Sequence, residues 1–293
     1  MFQSSDCGYD DAALTARGES LDALLQEAHI SEQDKQNALM EYLELLHSKR
    51  AAKVGVEFAE RLMDRVYQAF LAHPTSEVAV DLLYNCLLVQ QFHAMNFDQW
   101  RSHPSIVKCE NALASLEADG RLSDCFRFCQ ETAATYADAR FWPEALRYAM
   151  RAHGYSKQLI QKKITVLEND EMLDLRDTAC LICEYALHTA EGLTERLEAM
   201  LQSDLGAENF AFVLQEAQDN VDDIIVDPVE FTPEYLAIRY ELEEKIDDAL
   251  EHQRGYYEYC KDYWMAKRLI LRSEFGISWK SPAALNPNMD FDG

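Results

Sequence analysis

A chain of 293 residues with 48% apolar and 11% aromatic residues can bury a sizeable core, and 52 acidic against 27 basic side chains leave a formal charge of −25. That charge repels phosphate backbones and anionic bilayers, which counts against general nucleic-acid or lipid binding. Only 10 glycines and 7 prolines are present, too few turn residues for a sandwich or barrel, so the composition points to long helices with short connections.

The opening stretch, MFQSSDCGYDDAAL, is polar and acidic, without the basic and apolar regions of a secretory signal, and residues 1–17 read as a loose acidic lead. No later run is long enough to span a bilayer, and a cytoplasmic location is expected. Leu21, Leu24, Leu25 and Ala28 begin a helical period, and Ser31 with Asp34 caps a second helix carrying Leu39, Tyr42, Leu43 and Leu46. A third helix runs through Val54, Phe58, Leu62, Val66 and Phe70 until His73-Pro74-Thr75 stops it, because the residue before proline is pushed out of helical geometry.

Further helices are predicted over about 76–96, 105–117, 122–138, 142–153, 155–168, 171–190, 193–204 and 207–218, with His153-Gly154 read as one of the breaks. The stretch DNVDDIIVDPVEF, 219–231, reads either as a linker between two subassemblies or as a shielded inter-repeat loop, and Thr232-Pro233 opens a last hairpin. The tail 276–293, with Trp279 and two prolines, reads as a frayed terminus, the alternative being a cap folded back over the helices.

Close helix packing needs small residues at the crossing and a bulky one beside them. In residues 126–152 Ala133, Tyr136, Ala145 and Ala152 stand at such positions around a turn from Asp138 to Pro143. This segment resembles a tetratricopeptide repeat, although Cys129 occupies the place of that family's leading tryptophan. Residues 230–256 give a second match through Leu236, Ala237, Tyr240 and Ala249, whereas Asp170 and Asp204 fall where a strict period of about 34 residues would put aromatics. The resemblance implies an all-α fold, a TPR-like α-solenoid of antiparallel helix pairs over 18–275, with a sub-boundary at 219–231. An unrelated helical bundle with alanine-rich crossings fits the same spacing.

The family's groove positions carry over to Arg127, Gln130, Ala134, Ala137 and Asp138 in the first match and to Phe231, Glu234, Ile238 and Glu241 in the second. Such a mixed surface suits an extended peptide or a partner helix. Arg140, Arg147, Arg151, Lys157, Lys162 and Lys163 form a basic island interrupted only by Glu144. It reads either as a site for an acidic motif or as the counterpart of a neighbouring repeat's acidic surface. A smaller island holds Lys261, Lys267, Arg268 and Arg272.

Cys180, Cys183 and His188 carry zinc-type side chains, but no second Cys-x-x-Cys completes a tetrahedron. The eight cysteines, at 7, 86, 109, 125, 129, 180, 183 and 260, lie mostly in apolar helical patterns and read as buried free thiols. Glu44-x-x-His47 is half of a di-iron pattern without its other half, and phosphate-loop, dinucleotide, nucleophile-elbow and zinc-protease motifs are absent. The reading is therefore a non-catalytic helical-repeat scaffold for a protein or peptide partner, without cofactor or metal. Alternatives are a regulatory or sensory module of a bacterial signalling protein, suggested by residues 240–270, and, third, an all-α enzyme or metal protein.

Overall fold

The structure is a computed structural model that describes residues 11–163, 174–221, 224–250 and 259–289, the side chains at 259 and 260 excepted. Every regular element among the described residues is helical, and none of these helices is long and apolar enough to cross a membrane. The chain divides into two compact units, Met1–Thr178 and Ala179–Gly293.

The first unit contains α1 (Asp11–Gln26), α2 (Glu32–Lys49), α3 (Ala52–Ala72), α4 (Ser76–Met95), α5 (His103–Lys108), α6 (Glu110–Ala118), α7 (Leu122–Asp138) and α8 (Trp142–Lys162). The start of α9 (Leu175–Leu187) also belongs to it. Helix α1 starts inside the stretch expected to be loose, because Leu14 is buried and its carbonyl accepts the Tyr42 hydroxyl at 2.8 Å. Ser31 caps α2 by accepting the Asp34 N–H at 3.1 Å, and Thr75 restarts the chain after Pro74 by accepting the Val78 N–H. Each cap satisfies a backbone donor that the first turn leaves open.

Helix α3 packs along α4 and α7 along α8, while α4 also touches α6 and α7. Phe58, Met63, Leu82, Phe92, Ile106, Leu113, Phe128 and Tyr148 fill the space between them. In the segment 126–152, Ala133, Tyr136, Ala145 and Ala152 are all buried, and the Tyr136 ring stacks on Tyr148 at 5.7 Å. The small residues let α7 and α8 approach, and the tyrosine fills the gap beside them. The expected break at His153-Gly154 is absent: α8 runs through it. One helical glycine costs only about 1 kcal/mol against alanine, and Ala152, Tyr155, Ser156 and Leu159 continue the buried face.

Polar contacts tie helices of the first unit that are distant in sequence. Asp22 on α1 holds Arg61 and Arg65 on α3 across 39 and 43 residues, Asp64 on α3 holds Lys108 on α5 across 44, and Glu110 on α6 holds Arg151 on α8 across 41. In the interior, Gln90 on α4 donates to Thr132 and accepts from Thr135 on α7, across 42 and 45 residues.

The second unit contains the rest of α9, then α10 (Glu195–Leu205), α11 (Ala207–Asn220), α12 (Pro233–Leu250), α13 (Tyr259–Glu274) and the single turn α14 (Pro282–Leu285). Gly206, at φ +80°, makes the bend between α10 and α11 that an L side chain rarely adopts. Tyr235, Leu242, Ile246 and Leu250 of α12 enclose a core with Leu271 and Trp279.

Two expectations need correction here. Tyr240 and Ala249 lie in one continuous helix, α12, and Ala237 and Ala249 are exposed, so this second match has no helix–turn–helix crossing between them; Gln253 lies outside the described residues. The tail is docked over 276–289: Trp279 is 4% exposed with its indole N–H on Glu230, the Lys280 N–H reaches Asp227 at 2.7 Å, and the Asn286 side chain bonds both the N–H and the C=O of Ile225. The stretch 224–231 is thereby tied to the tail within the second unit, and the division of the chain at 178/179 precedes it.

Two glycines separate packing from propensity. A Cβ at Gly55 on α3 would lie 2.2 Å from the Phe92 ring, whereas one at Gly154 on α8 meets nothing within 4 Å. Gly55→Ala is expected to destabilise by about 1–3 kcal/mol and Gly154→Ala to stabilise by up to about 1 kcal/mol. Urea unfolding followed by circular dichroism measures both, and two changes of the same sign would contradict this packing.

Candidate functional site

Two arginines of the basic island are engaged within the fold. Arg147 and Arg151, one turn apart, both reach Glu110 on α6, at 3.2 and 2.8 Å, and Arg151 also reaches Glu117 at 3.3 Å. The Tyr148 hydroxyl donates to Glu110 at 2.6 Å and the Tyr155 hydroxyl donates to Glu117. Burial opposes ionisation of Glu110, but the Tyr148 and Arg151 hydrogen bonds outweigh it and hold its carboxyl below the usual range. Burial and the Glu110 and Glu117 bonds push the two phenols up. These two arginines link α8 to acidic residues of α6. Arg140 sits in the turn before α8 at φ +59° and is exposed, as are Lys162 and Lys163.

Between the arginines, Pro143, Leu146 and Met150 line a shallow open depression of about 440 Å³. All its lining residues come from α8, so it offers a helix face and no enclosed chamber.

The first set of groove positions falls on one stripe of α7. Arg127, Ala134 and Asp138 are exposed and Gln130 and Ala137 half-buried, while the opposite face carries the buried Cys125, Cys129, Thr132 and Tyr136. The neighbouring α4 adds an exposed Tyr84, with the Arg127 guanidinium 5.4 Å from its ring centroid. Partial burial pushes the Asp138 carboxyl up. Sequence spacing finds the α7 positions, but nothing in the spacing links Tyr84 to them, because the pairing crosses two separate helices.

In the second unit the proposed groove does not assemble. Ile238 packs on the core, Phe231 is half-buried in the 3-10 turn Pro228–Phe231, and Glu241 is exposed and ion-paired with Lys245 at 3.6 Å; Glu234 is exposed as well. Lys267 also leaves its island. It is 6% exposed, with its ammonium 4.8 Å from the Trp279 ring, 5.3 Å from Tyr235, 5.9 Å from Tyr263 and 3.4 Å from Glu230 Oε1. Burial disfavours its charge, and Tyr235 with the Glu230 and Glu243 carboxylates offsets that, so the ammonium is retained.

One constellation had no sequence sign. His93 at the end of α4 is 3% exposed, with Nδ1 2.8 Å from Asp98 Oδ1 and Nε2 3.6 Å from Glu60 Oε1 on α3. The second contact is an ion-pair distance rather than a hydrogen bond. Asn96 donates to the other Asp98 oxygen at 2.7 Å, and Arg101 lies 3.8 Å from it. The group ties the loop after α4 to both helices.

Among the described residues no group of three or more His, Cys, Asp or Glu side chains is arranged to hold a metal. Cys86, Cys109, Cys125, Cys129, Cys180 and Cys183 are free thiols, and burial pushes the Cys183 thiol up to about 12. Comparison of the chain with protein-family models, with curated proteins and with solved structures gives no match.

The His93 cluster sets a pH dependence. Burial lowers the imidazole pKa, but the Asp98 and Glu60 interactions outweigh it and raise it above the ordinary 6.5. The stabilisation from the imidazolium is therefore complete below the unfolded-state pKa and is lost as pH rises through the folded-state value. Asp98→Asn should flatten that loss between neutral and mildly alkaline pH in thermal unfolding; an unchanged slope would remove His93 as its source.

Proposed function

We propose that this chain is a non-catalytic helical-repeat scaffold that binds a protein or peptide along the outward stripe of α4 and α7. The reading is supported most by one observation: Arg127 stacks over an exposed Tyr84, giving an aromatic and a guanidinium side by side on neighbouring helices. Such pairs suit an extended or helical ligand, with the ring supplying contact area and the guanidinium reading a carboxylate. Gln130, Ala134 and Asp138 would extend the contact along α7. The inter-pair bonds of Asp22, Asp64, Gln90 and Glu110 favour a preformed surface that loses little entropy on binding. A serial stack of paired helices related to the tetratricopeptide pattern is part of this proposal, with residues 126–152 as its best-matching pair and a cytoplasmic setting as its context.

The test is a peptide-display selection on the full chain, followed by fluorescence anisotropy of the recovered peptide. Tyr84→Ala and Arg127→Glu are each expected to weaken binding at least tenfold, about 1.4 kcal/mol, with Arg147→Glu as a control on a different helix. Peptides that bind both α4/α7 variants as well as the unmodified chain would overturn the assignment.

A further inference from the structure

Two helices of the second unit present outward faces of opposite chemistry at identical spacing. On α11, Glu208, Phe212, Gln215, Glu216 and Asp219 share one side, and the opposite side buries Phe210, Val213 and Ala217. On α13, Lys261, Met265, Arg268, Leu269 and Arg272 occupy the same relative positions, with Lys267 and Leu271 inward. Both sets follow the i, i+4, i+7, i+8, i+11 pattern that keeps side chains on one helical face. Each face places large apolar side chains in water: Phe212 is 63% exposed, Met265 50% and Leu269 58%.

The charges around them are available. Glu208 and Glu216 have no ion-pair partner among the described residues, and neither do Arg268 and Arg272. Most other exposed apolar side chains are single, whereas here an acidic-rimmed phenylalanine and a basic-rimmed methionine–leucine pair occur on one chain. In a protein of charge −25, Arg268 and Arg272 stand on α13 without an ion-pair partner among the described residues, and the outward face of α11 carries the opposite sign.

We infer that the chain pairs with a second copy of itself, α11 of each copy lying on α13 of the other. A single helix-on-helix contact falls short of the about 800 Å² per partner of a standard stable interface. Two-fold pairing uses both faces of both copies and doubles the area. Phe212 then packs against Met265 and Leu269, and Glu208 and Glu216 meet Arg268 and Arg272 at the rim, where they fix register more than affinity. This pairing is independent of the α4/α7 surface.

Sedimentation velocity on the full chain tests it. The unmodified protein should sediment as a dimer at low salt and dissociate more readily at high salt, since exposed ion pairs are screened. Arg268→Glu with Arg272→Glu should give a monomer, as should Glu208→Lys with Glu216→Lys, each with helical content unchanged by circular dichroism. Mixing the two charge-reversed proteins should restore a dimer, because each reversed face then meets its complement. A chain that is monomeric throughout, a dimer that survives both reversals, or a mixture that stays monomeric would each overturn the inference, the second by pointing to a different interface.

Discussion

In the first unit, acidic side chains of earlier helices receive basic side chains of later ones. Glu110 is the most heavily used: it accepts from Tyr148, Arg147 and Arg151 at once and so links α8 to α6. Apolar packing alone would let two alanine-rich helices slide along one another. A carboxylate with three donors at set positions permits one register. Asp22 and Asp64 repeat the device further back in the chain, at partly exposed sites where each pair adds little stability but contributes to a consistent stacking order.

The second unit uses an internal cation where the first uses carboxylates. Lys267 is enclosed by Trp279, Tyr235 and Tyr263, and its charge is retained by Glu230. Trp279 belongs to the tail and Glu230 to the stretch before α12, so this one ammonium draws the tail onto the core. Tyr263 completes the group by donating to Glu243 at 2.6 Å. A buried charge with this many partners is costly to half-dismantle, which makes the tail part of the unit's folding rather than an appendage.

Helical class, most helix boundaries and the two clearest caps were legible in the sequence because they depend on local periodicity and on residues such as Ser31 and Pro74. The α7/α8 pairing was legible from Tyr136 and its alanines. The same spacing misled at Tyr240 and Ala249: small and aromatic residues nine apart fit one long helix as well as two short ones, and only tertiary packing decides. Gly154 misled in the opposite sense, since its modest helical penalty is outweighed by the buried face around it. The tail and Lys267 were misread because burial by a distant segment leaves no mark on local charge patterns, and Tyr84 beside Arg127 and His93 between Asp98 and Glu60 were missed for the same reason.

These placements change what the charge pattern means. A cluster of arginines in an acidic chain invites the idea of an anion site, yet Arg147, Arg151 and Lys267 already have carboxylates within the fold. The two proposed contact surfaces use cations outside that internal pairing, each beside apolar side chains: Arg127 over Tyr84, and Arg268 and Arg272 around Met265 and Leu269. A guanidinium on an aromatic or aliphatic surface is weakly hydrated and keeps its fork free for a carboxylate. As proposed contact surfaces, both suit an acidic partner that also brings an apolar side chain better than a bare anion, which would gain only the screened Coulomb attraction that the rest of this acidic molecule opposes.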